Sequence, residues 1–523
     1  MGSFVGPCIC TPETSLSCPN QGVRRLPQRN RDLRSFIRKS QEAWLAYPEI
    51  VCLVRNTSMA FSLNQKECDL TVQGAVILGS GGGGPLPFAR KIIAEITSPA
   101  EVKQLDSVHD DDWLTMIALV GQPSKVHDVL PGRHVEAFDV PDGPVRNDAR
   151  MPKFAVNKDA PLSFFVNGPL IPKSSVDVVD SSDFDSVDGS TASDGVVVNP
   201  NVAARNALRF LQAQCRLRAK DPDDYPRFQS FQKLTHLLTG ELGAVNIAVS
   251  LYLSSAMNIP VADCDGAGRS VPLISQITYA DRFNVSPTVI VSPLDDKAFE
   301  SIASVTLDFP AGTEGMVQLI AKSLLSSEEG PFAHGYIGYG TYVVSGAEVR
   351  GVPVENSLSM AFEIGKVLNE SKGRKRADDI CAVMQKYKRD CAVVFHGNIS
   401  DKLLHDDLTV HDIGYVTVRD DDSSEMQLWY KNEVMLAGPK GQPPKYMAPD
   451  SICIVPAEGE PFDVSTITQR QKEGVEIYVI VIAADEKLKN KKIVESFEKI
   501  YELFEDGDQD VYRGRYVPWS ASR

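Results

Sequence analysis

At 523 residues the chain has room for two to four domains of roughly 150 residues, and its 43% hydrophobic content supports a large core, which excludes a disordered or fibrous protein. The 69 acidic against 54 basic residues leave a net charge of −15, a field that repels a phosphate backbone and excludes nucleic acid as the expected partner. The most apolar run, Val475 to Ala484, is about half of the roughly 20 residues a membrane span needs, so no membrane association is expected.

Residues 1–62 mix proline, cysteine and basic side chains and read as a flexible leader with one short helix near Leu33 to Tyr47. Cys8, Cys10 and Cys18 lack a matching downstream pair of Cys or His, which favours a plain tail over a metal knuckle. The chain opens without a secretion signal, and Gly6 stands where a myristoylation signal has Ser or Thr. Cys52, Cys215, Cys391 and Cys453 lie inside apolar runs, as buried thiols of a reducing cytoplasm would.

An α/β N-terminal domain is expected over 63–290. Cys68 to Leu78 is apolar and open to a helical as well as a strand reading. It breaks at Gly79-Ser80-Gly81-Gly82-Gly83-Gly84-Pro85, and Phe88, Ile92, Ile93 and Ile96 follow at helical spacing. Gly79, Gly81 and Gly84 satisfy G-x-G-x-x-G, but Pro85 and Leu86 replace the Lys and Ser/Thr of a P-loop. Gly81, Gly82, Gly83 and Gly84 therefore suit a carboxylate or other anion cradle at a helix start, with a tight turn and a dinucleotide fingerprint as alternatives. A strand is expected at Thr115 to Val120. Residues 129–199, rich in Pro, Ser and Asp, read as an acidic, partly disordered insertion.

Helices follow at Asn201 to Ala219 and Ala244 to Met257, the second leading into a short strand at Ile259 to Ala262. Glu241 and Asn246 flank the start of that second helix. Capping alone accounts for Glu241, whereas an amide between Val245 and Ile247 implies a polar partner inside. Directly after the strand comes Asp263-Cys264-Asp265-Gly266-Ala267-Gly268-Arg269, where α/β proteins place ligands. These charges require partners when buried. Two readings stand: an Asp-capped turn with Arg269 paired to an Asp, or an acid/base carboxylate with Arg269 holding an anionic substrate. A Cys264 nucleophile is disfavoured, because flanking carboxylates raise a thiol pKa.

Residues 291–523 read as an α+β, strand-rich C-terminal domain, with a helix at Leu358 to Leu368, a buried strand at Val475 to Ala484, and a last helix with Ile493, Phe497, Ile500, Tyr501 and Phe504 on one face.

In order, Gly74 to Gly84, Glu241 to Asn246, Asp263 to Arg269, Ser345 to Ala347, Leu358 to Gly365, Lys431-Asn432-Glu433, Pro449-Asp450 and Gly459-Glu460-Pro461 resemble the S-methyl thiohydantoin desulfurase-like family, over about residues 65–523. Cys264, Ala267 and Ala244 depart from the family's usual Ala, Met and Gly. The resemblance implies an α/β domain and a smaller mixed domain acting on a five-membered nitrogen heterocycle, as in hydrolytic removal of methanethiol from an S-methyl thiohydantoin.

The expected function is a cytoplasmic hydrolase that adds water to such a ring. Asp265 is the expected base, with Asp263 and Glu241 as its partners. The substrate is expected against Gly81 to Gly84, Asn246, Cys264, Arg269, Asn432 and Glu433. No cofactor is specified. A divalent ion on Asp263, Asp265 and Glu241 is the alternative chemistry, with His127 as a more distant ligand. The expected partner is a small-molecule substrate, with a homo-oligomer or a hydantoinase-type subunit beside it. A non-catalytic accessory subunit and a nucleotide-dependent enzyme remain as other functions.

Overall fold

Asn64 starts the first helix, its side chain accepting from the amides of Lys66 and Glu67 while Glu67 reaches back to the Asn64 amide, a capping box that fixes α1 at Gln65–Leu78. The run before the glycine loop is therefore helix. A computed structural model of the chain describes residues 60–121, 199–293, 303–309, 312–325, 332, 336–405, 413–467, 474–504 and 514–520. The expected leader helix, His127 and all of the acidic insertion except Asn199 lie outside the described residues.

In chain order the elements are β1 Phe61–Leu63, α1, α2 Leu86–Ile93, β2 Ala100–Lys103, β3 Trp113–Gly121, α3 Pro200–Ala219, β4 His236–Thr239, α4 Ala244–Met257, β5 Val261–Asp265, β6 Thr288–Val291, β7 Ser304–Leu307, α5 Glu314–Leu325, β8 Tyr336–Ser345 and β9 Val354–Glu355. There follow α6 Ser357–Glu370, α7 Gly373–Lys386, β10 Cys391–His405, β11 Ile413–Arg419, β12 Glu425–Lys431, β13 Glu433–Pro439, β14 Tyr446–Met447, β15 Ser451–Pro456, β16 Glu476–Ile482 and α8 Lys491–Tyr501.

The first sheet has the order β1-β2-β5-β4-β3-β8-β6-β7, with β9 paired to β5, and so continues past residue 290. Its centre, β2-β5-β4-β3, is parallel. β3, parallel to β4 and antiparallel to β8, is buried along most of its length, as a strand covered on both faces must be. Helix α4 is apolar almost all round and accordingly packs against α1, α2, α3 and the sheet. The second sheet, β14-β13-β12-β11-β10-β16-β15, is antiparallel throughout. In β12, Met426, Leu428 and Tyr430 face inward and alternate with half-exposed neighbours. Helix α8 closes that region by burying Ile493, Phe497, Ile500 and Tyr501 beside Met435 and Leu436. The architecture is thus an α/β N-terminal part with a strand-rich C-terminal part. Among the described residues no helix is long and apolar enough to cross a membrane.

The closest packing of helices is between α1 and α6, where glycines meet backbone. A Cβ at Gly74 would lie 1.8 Å from the Ala361 carbonyl oxygen, and one at Gly365 would lie 1.9 Å from that of Leu70. No rotamer relieves a clash with main chain, so Gly74→Ala is expected to lower unfolding free energy by about 3 kcal/mol in a urea titration. Gly315→Ala, in a helix with nothing near its Cβ position, is expected to raise it by about 0.5–1 kcal/mol.

Candidate active site

The glycine loop leaves α1 through left-handed backbone. Ser80, Gly81, Gly83 and Gly84 have φ of 54°, 84°, 81° and 87°. At Gly83 a Cβ would also lie 2.3 Å from the Gly243 Cα, and at Gly82 one would lie 2.4 Å from Glu433 Oε1. The loop is clamped by its carbonyls: Ser80 O accepts from the Val434 amide at 2.9 Å, Gly81 O from Val464 at 2.8 Å, and Gly83 O from Val245 at 3.0 Å. It is therefore wedged between the start of α4 and the second sheet. A dinucleotide site needs a strand before such a loop, and here a helix precedes it, so the nucleotide reading loses its structural basis.

Beyond the carboxyl ends of β3 and β4 lies a cavity of about 270 Å³. Of the residues singled out in the sequence, Gly81 to Gly84, Glu241, Asn246, Asn432 and Glu433 line it together. Asn432 is the left-handed residue (φ 58°) between β12 and β13, a conformation Asn tolerates, and it carries Glu433 to the loop.

Glu241 Oε1 accepts from Asn246 Nδ2 at 2.9 Å and Oε2 from the Val271 amide at 2.7 Å. Burial outweighs these bonds and, with repulsion from Asp265, pushes its pKa up to about 7. Burial, and then the neighbouring Glu241 carboxyl, raise Glu433 well above the carboxylate range, against the pull of Arg269 and the Gly83 amide. The anion cradle expected of the glycines thus receives a carboxyl group of the protein itself. Glu433 Oε2, Asn246 Oδ1 and Tyr336 Oη are buried without a partner among the described residues, and all three belong to residues lining the cavity. Buried polar atoms are rarely left so, which makes these the natural contacts of a polar ligand.

The Asp loop stands outside this cavity, apart from the residues it was expected to join. Asp263 and Asp265 project from one face of β5 toward the first turn of α6. Asp263 Oδ1 accepts from the amides of Leu358 at 2.8 Å and Ser359 at 3.1 Å, and Oδ2 from Gln104 Nε2 at 2.9 Å and from the Ser359 hydroxyl. Asp265 Oδ2 accepts from the amides of Ala267 at 2.9 Å and Gly268 at 2.7 Å, and Oδ1 from the Ser357 hydroxyl. Burial raises both pKa values, that of Asp265 to about 6. Neither lines the cavity; they cap a helix and a turn. Cys264 points to the opposite face, fully buried among apolar side chains, where burial holds its thiol well above the ordinary pKa. Arg269 is also fully buried and donates to the carbonyls of Ser270, Asp450 and Val434 at 3.0, 2.8 and 2.7 Å. It neither pairs an Asp nor reaches the cavity. Asp263, Asp265 and Glu241 do not converge, and among the described residues no group of three or more His, Cys, Asp or Glu is placed to hold a metal ion.

Other lining residues were not singled out in the sequence as site residues. Phe88 and Met116 form part of an apolar wall, and Asp463 and Lys322 come from a loop and from α5. Lys322 had one legible sign, a cation beside the apolar positions Val317, Ala321 and Leu325 of one helix face. For the Asp loop, Asp265→Asn is expected to cost about 2 kcal/mol of stability while turnover per folded molecule stays within about twofold of the parent. Loss of turnover in a folded variant would restore the aspartate to the chemistry.

Residues 222–299 match the family described as S-Me-THD-like, N-terminal domain, and residues 332–499 match S-Me-THD-like, C-terminal domain. No curated protein matches the chain significantly. A crystal structure of a protein from Chromobacterium violaceum is similar at a TM-score of 0.59 and 20% identity, covering 88% of this chain and 99% of that one, a likeness of fold. With both domains of the family matched in order along the chain, the protein belongs to the S-methyl thiohydantoin desulfurase-like family.

Proposed function

We propose that the protein is a hydrolase acting on a hydantoin- or thiohydantoin-like five-membered nitrogen ring, with Glu241 and Glu433 as its acid/base pair. The observation that carries this reading is the meeting of two carboxyl groups of raised pKa in one small cavity, with Glu433 Oε2 and Asn246 Oδ1 unsatisfied beside an apolar wall. Family membership supports the substrate class, and the cavity, at the lower end of the roughly 300–1,000 Å³ common for small-molecule sites, suits a single ring.

In the proposed reaction ionised Glu241 takes a proton from water as its oxygen bonds to the ring carbon bearing the S-methyl group. The C=N π electrons move to nitrogen, which takes that proton from Glu241. In the collapse ionised Glu241 takes the hydroxyl proton as the C=O bond forms, the C–S electrons leave on sulfur, and sulfur takes the proton of Glu433. One water is consumed, one methanethiol leaves, the ring carbon becomes a carbonyl, and proton transfer from Glu241 to Glu433 restores the starting pair. The Asn246 Oδ1 accepts a ring N–H, and Tyr336 Oη donates to a ring carbonyl. A base that titrates near 7 is matched to work at neutral pH.

Glu241 must be ionised and Glu433 protonated, so kcat/KM is expected to rise with pH through about 7 and to fall again at higher pH. Glu241→Gln and Glu433→Gln are each expected to lower methanethiol release from an S-methyl thiohydantoin by roughly 10²–10⁴-fold, with the circular dichroism spectrum unchanged. A correctly folded Glu241→Gln variant with full turnover would refute the assignment.

A further inference from the structure

The cavity is lined by three acidic side chains, Glu241, Glu433 and Asp463, and, among the described residues, by a single cation, Lys322. The arginine offered by the sequence for an anionic substrate has all three of its guanidinium nitrogens donating to main-chain carbonyls. Arg269 is also the cation that offsets Glu241 and Glu433 from behind the cavity. Lys322 is therefore the positive charge that lines the cavity among the described residues.

Its position is built. Gln318 lies one turn before it and ties α5 to the cavity wall, its Nε2 donating to the Pro272 carbonyl at 2.9 Å and its Oε1 accepting from the Ile274 amide at 3.3 Å. Val317, Ala321 and Leu325 bury the neighbouring stripe of the same helix. An ammonium carried on the inward side of a helix is partly stripped of water, a cost that an anion in the cavity offsets. Burial and repulsion from the Lys431 ammonium hold Lys322 down to about 8, the direction expected where further negative charge would be welcome.

Building on the ring-hydrolase reading, we propose that Lys322 is the specificity residue of this site and selects ring substrates whose side arm bears a carboxylate, which its ammonium pairs. The acid/base pair then works on the ring while the charged arm fixes its orientation.

Isothermal titration of the full chain with two matched probes, hydantoin-5-acetic acid and 5-ethylhydantoin, tests this, with succinate as an anion that lacks the ring. Lys322→Met is expected to weaken hydantoin-5-acetic acid roughly tenfold and 5-ethylhydantoin by less than about twofold, and Lys322→Arg to restore most of the difference. Equal effects on the two ring probes, or none on either, would overturn the role of Lys322 and leave the ring reading standing. Should neither ring probe bind the parent, the ring reading falls and succinate decides the lysine. Weaker succinate binding by Lys322→Met then upholds an anion site, whereas no binding, or the same binding by both proteins, overturns it.

Discussion

The site depends on one buried guanidinium. Arg269 follows the first sheet's β5 turn, yet its nitrogens donate to Val434 and Asp450, at the starts of β13 and β15 in the second sheet. A charge with no access to water must find hydrogen-bond acceptors, and a carbonyl left without it is also penalised, so the contact holds in one geometry only. Val434 is the neighbour of Glu433, and the Arg269 carbonyl accepts from Leu242, the neighbour of Glu241. The same residue therefore brings together two carboxyl groups that are 192 positions apart and supplies the positive field that both feel.

That arrangement is costly to the fold and useful to the site. Glu241 is raised from 4.5 to about 7, so between those values the native protein binds a proton that the unfolded chain has released. Stability from this group falls as pH rises through that window and stays lower above it. The half-buried Glu425 shows the opposite shift, because its ion pairs with Lys440 and Arg419 outweigh burial. Perturbation by burial next to a like charge is how acid and base roles are divided between two chemically identical groups.

Much of the scaffold was legible from local patterns. The helix at Ala244–Met257 is bounded where the sequence places it, and the helices near residues 200–219 and 357–370 and the strand near 476–482 agree to within a few positions, because each has a hydrophobic period or a continuous apolar run of its own. The grouping of Gly81 to Gly84 with Glu241, Asn246, Asn432 and Glu433 was likewise expected, and these residues do line one cavity. The Asp loop does not line that cavity, for a definite reason. Its charges do require partners, but the partners are amides and hydroxyls of residues 357–359, invisible to any reading of residues 263–269 alone.

The sequence by itself determined the α/β and strand-rich halves, the turn-forming glycines and the inventory of ionisable groups, since periodicity, backbone conformation and charge are properties of neighbouring residues. Only the tertiary structure decided which acids stay available. Burial and hydrogen bonding across distant segments turn Asp263 and Asp265 into caps and Arg269 into a rivet, while the same packing leaves Glu241, Glu433 and Lys322 facing one hollow. The difference is one of desolvation, which depends on what the folded chain places around a group and not on what lies beside it in sequence.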